Sequence, residues 1–206
     1  VWIDREGYPF IGAAVAGTLA AAWWLHWSLV IPGGLLLLFL LNFFRDPERR
    51  IPDGPVLVSP ADGRVMAVRP AAGDAGEPFV SIFMNPLDVH VNRAPLAGTI
   101  VQYQYFRGRF KPAFEESAGM ENERNMIVIQ GDRCQVRLSQ IAGILARRIV
   151  FRKKVGDVVR TGERIGMIRF GSRVDLWLPR EARVVVRAGQ KVKAGNTILA
   201  EINHGN

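Results

Sequence analysis

Hydrophobic and polar positions divide this chain into two parts with different patterns. From Gly7 to Phe44 there is no Asp, Glu, Lys or Arg. A membrane-crossing helix needs about 20 apolar residues, and this run is nearly twice that. It predicts an N-terminal transmembrane helical segment, with a membrane anchor over residues 1–44. Two arrangements fit: a hairpin of helices at about 9–25 and 30–44, or one tilted span with an interfacial segment. The hairpin is preferred, turning at the Trp23, Trp24, His26, Trp27 cluster or at Pro32-Gly33-Gly34. A charge-free run of this length argues against a buried core helix. The missing basic n-region argues against a cleaved signal peptide.

From Arg45 onward the pattern is short and alternating. After a polar, proline-bearing connector come Val56–Ser59, Arg64–Val68, Phe79–Phe83, Thr99–Phe106, Met126–Ile129 and Cys134–Ile141, broken by Gly, Pro, Asn and Asp. These read as strands, so residues 45–206 are expected to form a β-rich domain. Residues 107–124 read as a long loop, a class that is often functional. The C-terminal third repeats itself: Gly156, Val159, Gly162 and Ile165 recur as Gly189, Val192, Gly195 and Ile198, each 33 residues on. Two such units resemble the halves of a lipoyl/biotinyl-like flattened barrel. A carrier domain would present a lysine between them, and there is none between Lys154 and Lys191.

Charge changes the picture of what the β-rich domain meets. The net charge is +8, and residues 1–44 hold only Asp4, Arg5 and Glu6, so the remainder carries +9. Such a domain suits an anionic partner. The basic run Arg147, Arg148, Arg152, Lys153, Lys154 reads by itself as a solvated edge, but beside a membrane segment contact with anionic headgroups is the better reading. No nucleic-acid-binding signature accompanies it. Arg45, Arg49 and Arg50 follow the apolar run, which by the positive-inside rule places the β-rich domain on the cytoplasmic side of the cell membrane. Cys134 is the only cysteine, so no intrachain disulfide and no cysteine metal cluster can form. The three histidines, His26, His90 and His204, are too far apart for an HExxH-type zinc site.

Four places can carry chemistry. Gly171-Ser172 lies between the repeat units, flanked by strand-like residues. It is either a bend or bulge, or a point where the Ser172 hydroxyl attacks the unshielded Gly171 carbonyl. Ser59-Pro60-Ala61-Asp62-Gly63 is an ordinary turn before a strand, or a carboxylate that orients a histidine. In Asp88-Val89-His90-Val91-Asn92, alternation puts Asp88, His90 and Asn92 on one face, and imidazole can move protons near neutrality. Glu123 and Arg124 form either a solvated turn or contacts to a polar substrate.

Taken together, these residues resemble the phosphatidylserine decarboxylase family in its short, membrane-attached form. The motifs are Ser59-Pro60-Ala61-Asp62-Gly63, Asn85-Pro86-Leu87-Asp88-Val89-His90 with Asn92-Arg93-Ala94-Pro95, Asn122-Glu123-Arg124, Gln140-Ile141-Ala142-Gly143 and Phe170-Gly171-Ser172. The resemblance implies a proenzyme that cuts itself between Gly171 and Ser172 into a β chain, 1–171, and an α chain, 172–206. Ser172 would become a pyruvoyl group that forms a Schiff base with the amine of phosphatidylserine and draws electrons as carbon dioxide leaves, yielding phosphatidylethanolamine without a metal. Asp62, His90 and Ser172 match the family's Asp-His-Ser arrangement, and Glu123 and Arg124 are candidates for substrate contact. Many longer members have a second histidine where this chain has Arg93, so His90 alone would serve both steps or another group would assist. The implied partners are phosphatidylserine, anionic membrane lipid and the two product chains, with a homodimer left open and no nucleic acid. A pyruvoyl amino-acid decarboxylase and a membrane-tethered, lipoyl-like lipid-binding adaptor are the competing readings.

Overall fold

A computed structural model describes residues 2–71, 76–115, 117–144, 148–169 and 172–202. The chain divides into two compact units, Val1–Glu48 and Arg49–Asn206. In the first, β1 (Trp2–Ile3) pairs antiparallel with β2 (Arg45–Asp46), and between them lie α1 (Tyr8–Trp24) and α2 (Val30–Phe43). Gly33 is where these helices approach closely, since a Cβ there would sit 2.2 Å from the Thr18 hydroxyl. The expected transmembrane segment is corrected here. α1 has 17 residues and α2 has 14, and among the described residues no helix is long and apolar enough to cross a membrane. At 1.5 Å per residue they reach about 25 and 21 Å, short of a hydrocarbon core of about 30 Å. The charge-free run is interrupted by a turn. His26 takes an extended conformation and its ring accepts a hydrogen bond from Ser28 N, starting a 3-10 turn over Trp27–Leu29. Pro32 does not break α2 because it falls in the first turn, where no helical partner is lost.

The second unit is built of β3 (Val56–Val58), β4 (Gly63–Arg69), β5 (Phe79–Met84), β6 (Val91–Arg93), β7 (Gly98–Phe106), β8 (Arg124–Gln130), β9 (Gln135–Ala142), β10 (Ile149–Phe151), β11 (Val158–Val159), β12 (Arg164–Ile168), β13 (Ser172–Trp177), β14 (Ala182–Val184), β15 (Lys191–Val192) and β16 (Ile198–Ile202). A one-turn helix, α3 (Ala118–Glu121), interrupts the long loop before β8. The β-rich character expected of this region is what the structure has. Eight strands form one antiparallel sheet in the order β11-β7-β8-β9-β13-β5-β4-β15, accompanied by three-stranded sheets β10-β12-β6 and β14-β16-β3. Ile82, Met84, Ile127, Ile129, Leu138, Val174 and Leu176 fill the core, following the two-residue period of their strands.

This topology is a duplication larger than the C-terminal repeat. One half comprises β3, β4, β5, β13, β14, β15 and β16; the other is the unbroken run β6–β12, inserted between β5 and β13. Register shifts occur at matching places, Val65/Ala67 in β4 with Ile100/Gln102 in β7, and Arg164/Gly166 in β12 with Ile198/Ala200 in β16. The halves also exchange backbone bonds reciprocally: Val58 N donates to Pro95 O and Arg93 N to Pro60 O, both at 2.9 Å. The two units of the 33-residue repeat therefore do not form the halves of one small barrel. They put β11 and β15 at opposite edges of the large sheet, with turn glycines of matched positive φ, 95° and 84° at Gly156 and Gly189, 75° and 71° at Gly162 and Gly195.

Candidate active site

Ser172 opens β13, a central strand held on one side by β5 and on the other by β9. Its cross-strand partners are Met84 and Ala142, and it is fully buried. Alternation sends its hydroxyl to the same face as Val174 and Leu176. There the hydroxyl donates to the Met84 thioether at 3.3 Å, a weak acceptor. Met84 Sδ also receives Asn92 Nδ2 at 3.7 Å; Gln140 Nε2 donates to Asn92 Oδ1 at 2.7 Å, and Asn125 Nδ2 to Gln140 Oε1 at 3.5 Å. A buried polar chain thus runs from Ser172 across an otherwise apolar face. Phe170 and Gly171, the other side of the expected cleavage point, lie outside the described residues.

Asp62 sits in the turn entering β4. Arg49 Nη2 bridges both its oxygens, at 2.9 and 2.8 Å, and Ala194 N donates to Oδ1 at 2.8 Å. Burial pushes this carboxyl up from the ordinary 3.8, while the Ala194 amide and the Arg49 guanidinium pull it back down. His90, fully buried just before β6, has its Nδ1 2.9 Å from Asp88 O. The three expected residues are therefore placed in the same unit, and among the described residues no hydrogen bond joins them to one another. Among the described residues, Ser172 is bonded to Met84, and Asp62 to Arg49 and Ala194. Arg93, at the position of a second histidine, is buried and donates from Nη1 to Gly162 O at 3.0 Å.

Sequence reasoning missed Arg49, which it placed in a connector. Only its opposite charge to Asp62, 13 residues on, could have suggested the pair. It also missed the clamp on the residue after Ser172. Arg173 Nε and Nη2 reach the two oxygens of Asp175, both at 2.6 Å, in a nearly buried bidentate pair, and Ser81 Oγ donates to Asp175 Oδ1 at 2.6 Å. Arg173 Nη1 donates to Glu115 O at 3.1 Å, while Asn122 Nδ2 donates to Lys111 O at 2.8 Å and to Ala142 O at 2.7 Å. Together these fasten the segment before β8 to the strand ends beside Ser172. Arg124 donates to the Met120 and Asn122 carbonyls and lies over the Phe106 ring. Burial, and then the Glu123 carboxylate that it bonds, push the Tyr105 hydroxyl up from 10.0. In the basic run Lys153 pairs with Glu163, and Arg147 lies outside the described residues.

Residues 36–200 match the family model described as phosphatidylserine decarboxylase. A phosphatidylserine decarboxylase proenzyme of Solibacter usitatus (strain Ellin6076) is 50% identical over 198 residues, covering 96% of each chain. Proteins of the same name from Ralstonia nicotianae and Symbiobacterium thermophilum are 47% and 45% identical, covering 98% and 97% of this chain and 96% and 95% of theirs. The chain belongs to the phosphatidylserine decarboxylase family.

Proposed function

We propose that this chain is a proenzyme that cuts itself before Ser172 and then decarboxylates phosphatidylserine to phosphatidylethanolamine, working at the surface of the bilayer that holds its substrate. The observation that carries this reading is the position of Ser172. It stands at the first residue of a strand paired on both sides, where the chain returns from the inserted half. Parting the chain there removes no rung of the sheet, and 172–202 stays hydrogen-bonded to β9 and β5.

In the cutting step the Ser172 oxygen bonds to the Gly171 carbonyl carbon and the amide C–N bond breaks, giving an ester. Elimination then breaks the serine Cβ–O bond and frees the Gly171 carboxylate, and water converts the remaining enamine to a ketone and ammonia. His90 is the base for these proton movements. Asp62 acts at one remove, its charge held by Arg49 and the Ala194 amide. A weak thioether acceptor suits a hydroxyl that must turn toward a carbonyl, since little is lost on leaving it. A buried residue 172, shut from bulk water beside Met84, which Asn92 and Gln140 hold in turn, fits a pyruvoyl group. That group supplies an electrophilic carbonyl and an electron sink for decarboxylation. Around it, the Asn92–Gln140 pair fixes the strand ends, Arg173 holds the 107–121 segment over them, and Glu123 and Arg124 brace that segment. Family membership sets aside the adaptor reading.

Purified protein mixed with vesicles containing phosphatidylserine labelled in the carboxyl carbon should release labelled carbon dioxide, and Ser172→Ala should release none. Equal release from both would overturn the assignment of Ser172.

A further inference from the structure

We infer that the Asn85–Asp88 turn sets the tautomer of His90: the Asp88 carbonyl holds the hydrogen on Nδ1, which leaves Nε2 as the base that serves Ser172. This rests on the self-cutting reading and adds Asp88 to it as a positioning residue. A carbonyl oxygen can only accept a hydrogen bond. His90 Nδ1 lies 2.9 Å from Asp88 O, so Nδ1 carries the hydrogen and the lone pair of the neutral ring is on Nε2.

The carbonyl that decides this is itself fixed. Asp88 N donates to Asn85 O at 2.8 Å, closing a turn in which Pro86 supplies a pre-set φ at the second position. The Asp88 side chain reaches back across the same turn, its Oδ2 accepting from Asn85 N at 2.8 Å. Asn85 Oδ1 accepts from Leu87 N at 3.1 Å. Beyond the turn Val89 and His90 are buried, so the peptide that carries Asp88 O is held from both sides. Asp62, the carboxylate expected to orient the ring, bonds Arg49 and the Ala194 amide instead.

The ring also stands on the face that Ser172 uses. His90 O accepts from Ile168 N at 3.4 Å, continuing the pairing of β6 with β12, and Ile168 is four residues before Ser172. Alternation puts His90 on the same face of that segment as Asn92. Asn92 Nδ2 meets Met84 Sδ at 3.7 Å, and the same sulfur accepts the Ser172 hydroxyl at 3.3 Å. Met84 and Ser172 are cross-strand partners, so their side chains share one face of the large sheet. As the Ser172 oxygen bonds to the Gly171 carbonyl carbon, its proton passes to Nε2. The imidazolium keeps its Nδ1–H on Asp88 O and gives the Nε2 proton to the Ser172 nitrogen as the C–N bond breaks.

The test reads the tautomer itself by NMR, in the full-length, uncut Ser172→Ala chain with isotope-labelled histidine nitrogens. At about pH 8, above the usual histidine range, the His90 ring should show hydrogen on Nδ1 and an unprotonated Nε2. Its signals are those lost on His90→Gln. Adding Asp88→Ala should bring in a population protonated on Nε2. Asp88→Asn, which keeps an acceptor oxygen but not the charge, should restore most of the Nδ1 form. In freshly translated chains with Ser172 in place, Asp88→Ala should slow cutting about tenfold, a share of the roughly 100- to 10,000-fold that a placed general base supplies. Asp88→Asn should cut within about threefold of the wild type on the same scale. Asn85→Ala, on an exposed residue, removes the bond to Leu87 N and should move both readings the same way by less; it stands in if Asp88→Ala does not fold. Hydrogen on Nε2 in the parent chain, or a tautomer indifferent to these alanine variants, overturns the inference. A shifted tautomer with unchanged cutting overturns Nε2 as the base, and Asp88→Asn behaving as Asp88→Ala overturns the carbonyl in favour of the carboxylate charge. A wild type that never cuts, with the Nδ1 form intact, overturns the proenzyme reading instead.

Discussion

The two halves of the duplicated β unit share a backbone and differ in chemistry. In the inserted half, β8 and β9 are joined by a tight turn in which Gly131 N donates to Cys134 O at 2.9 Å. In the other half the equivalent strands, β5 and β13, pair just as regularly, but the whole inserted half stands between them. Ser172 is thus the register counterpart of Cys134, with its chain connection opened out. Asp62 answers to Ala97, Arg64 to Thr99 and Lys191 to Val158, each at an offset of 35, 35 or 33 residues. What the halves have in common is what the sheet needs: the prolines at 60 and 95, the glycines at 63 and 98, and the bulges beyond them. What only one half has is a hydroxyl at the strand start where the chain is to part, and a buried carboxylate.

That contrast can be attacked directly. The largest effect belongs to the counterpart pair. Ser172→Ala should leave the chain whole on denaturing electrophoresis, while Cys134→Ala should cut as the wild type does. If both variants are uncut, the difference between the halves is not chemical. Next comes the buried ion pair. Asp62→Ala strands the Arg49 guanidinium and should cost about 3 kcal/mol in urea unfolding, with slowed cutting, while Ala97→Asp should not speed it. The Asp62 carboxyl also sets a pH dependence. Its value in the fold is raised, so its favourable contribution to stability is full below 3.8 and is lost as pH rises through the folded value. Arg49→Met removes a group that lowers it and should move this window upward, which an NMR titration of the carboxyl would read.

The shared scaffold should respond in both halves. A Cβ at Gly63 would lie 2.1 Å from Phe83 O, and one at Gly98 2.3 Å from Gln130 O. Gly63→Ala and Gly98→Ala should therefore each cost about 1–3 kcal/mol by overcrowding, with a further cost at Gly63, whose φ of 149° disfavours a side chain; a Gly98→Ala variant as stable as the wild type would weaken the equivalence. The smallest effect is expected at the uncharged edge. Val158→Thr, on a largely exposed residue, should stay within about 0.5 kcal/mol of the wild type.

Much of the fold was legible in the pattern of the chain, because alternating strands and glycine turns leave local marks. The helix pair and its turn near His26 were legible too, but the length of the charge-free run suggested a membrane span that neither helix, taken singly, is long enough to make. The C-terminal repeat was visible because its four matches share one offset. The rest of the duplication was not, since Pro60/Pro95 and Gly63/Gly98 are spaced by 35 rather than 33 and sit among dissimilar residues. Ser172, His90 and Asp62 stood out through short motifs. Arg49 and the Arg173–Asp175 pair did not, because a charged residue in a connector or on a strand reads as solvated until its partner is seen.

The central claim is that the chain parts before Ser172 and that this residue changes chemically. Intact-mass analysis of the purified wild type under denaturing conditions tests it most directly. The account predicts two chains separated between residues 171 and 172, the smaller beginning with a carbonyl in place of the serine amine and reacting with a hydrazine. A single uncut chain with an unmodified Ser172 would contradict it.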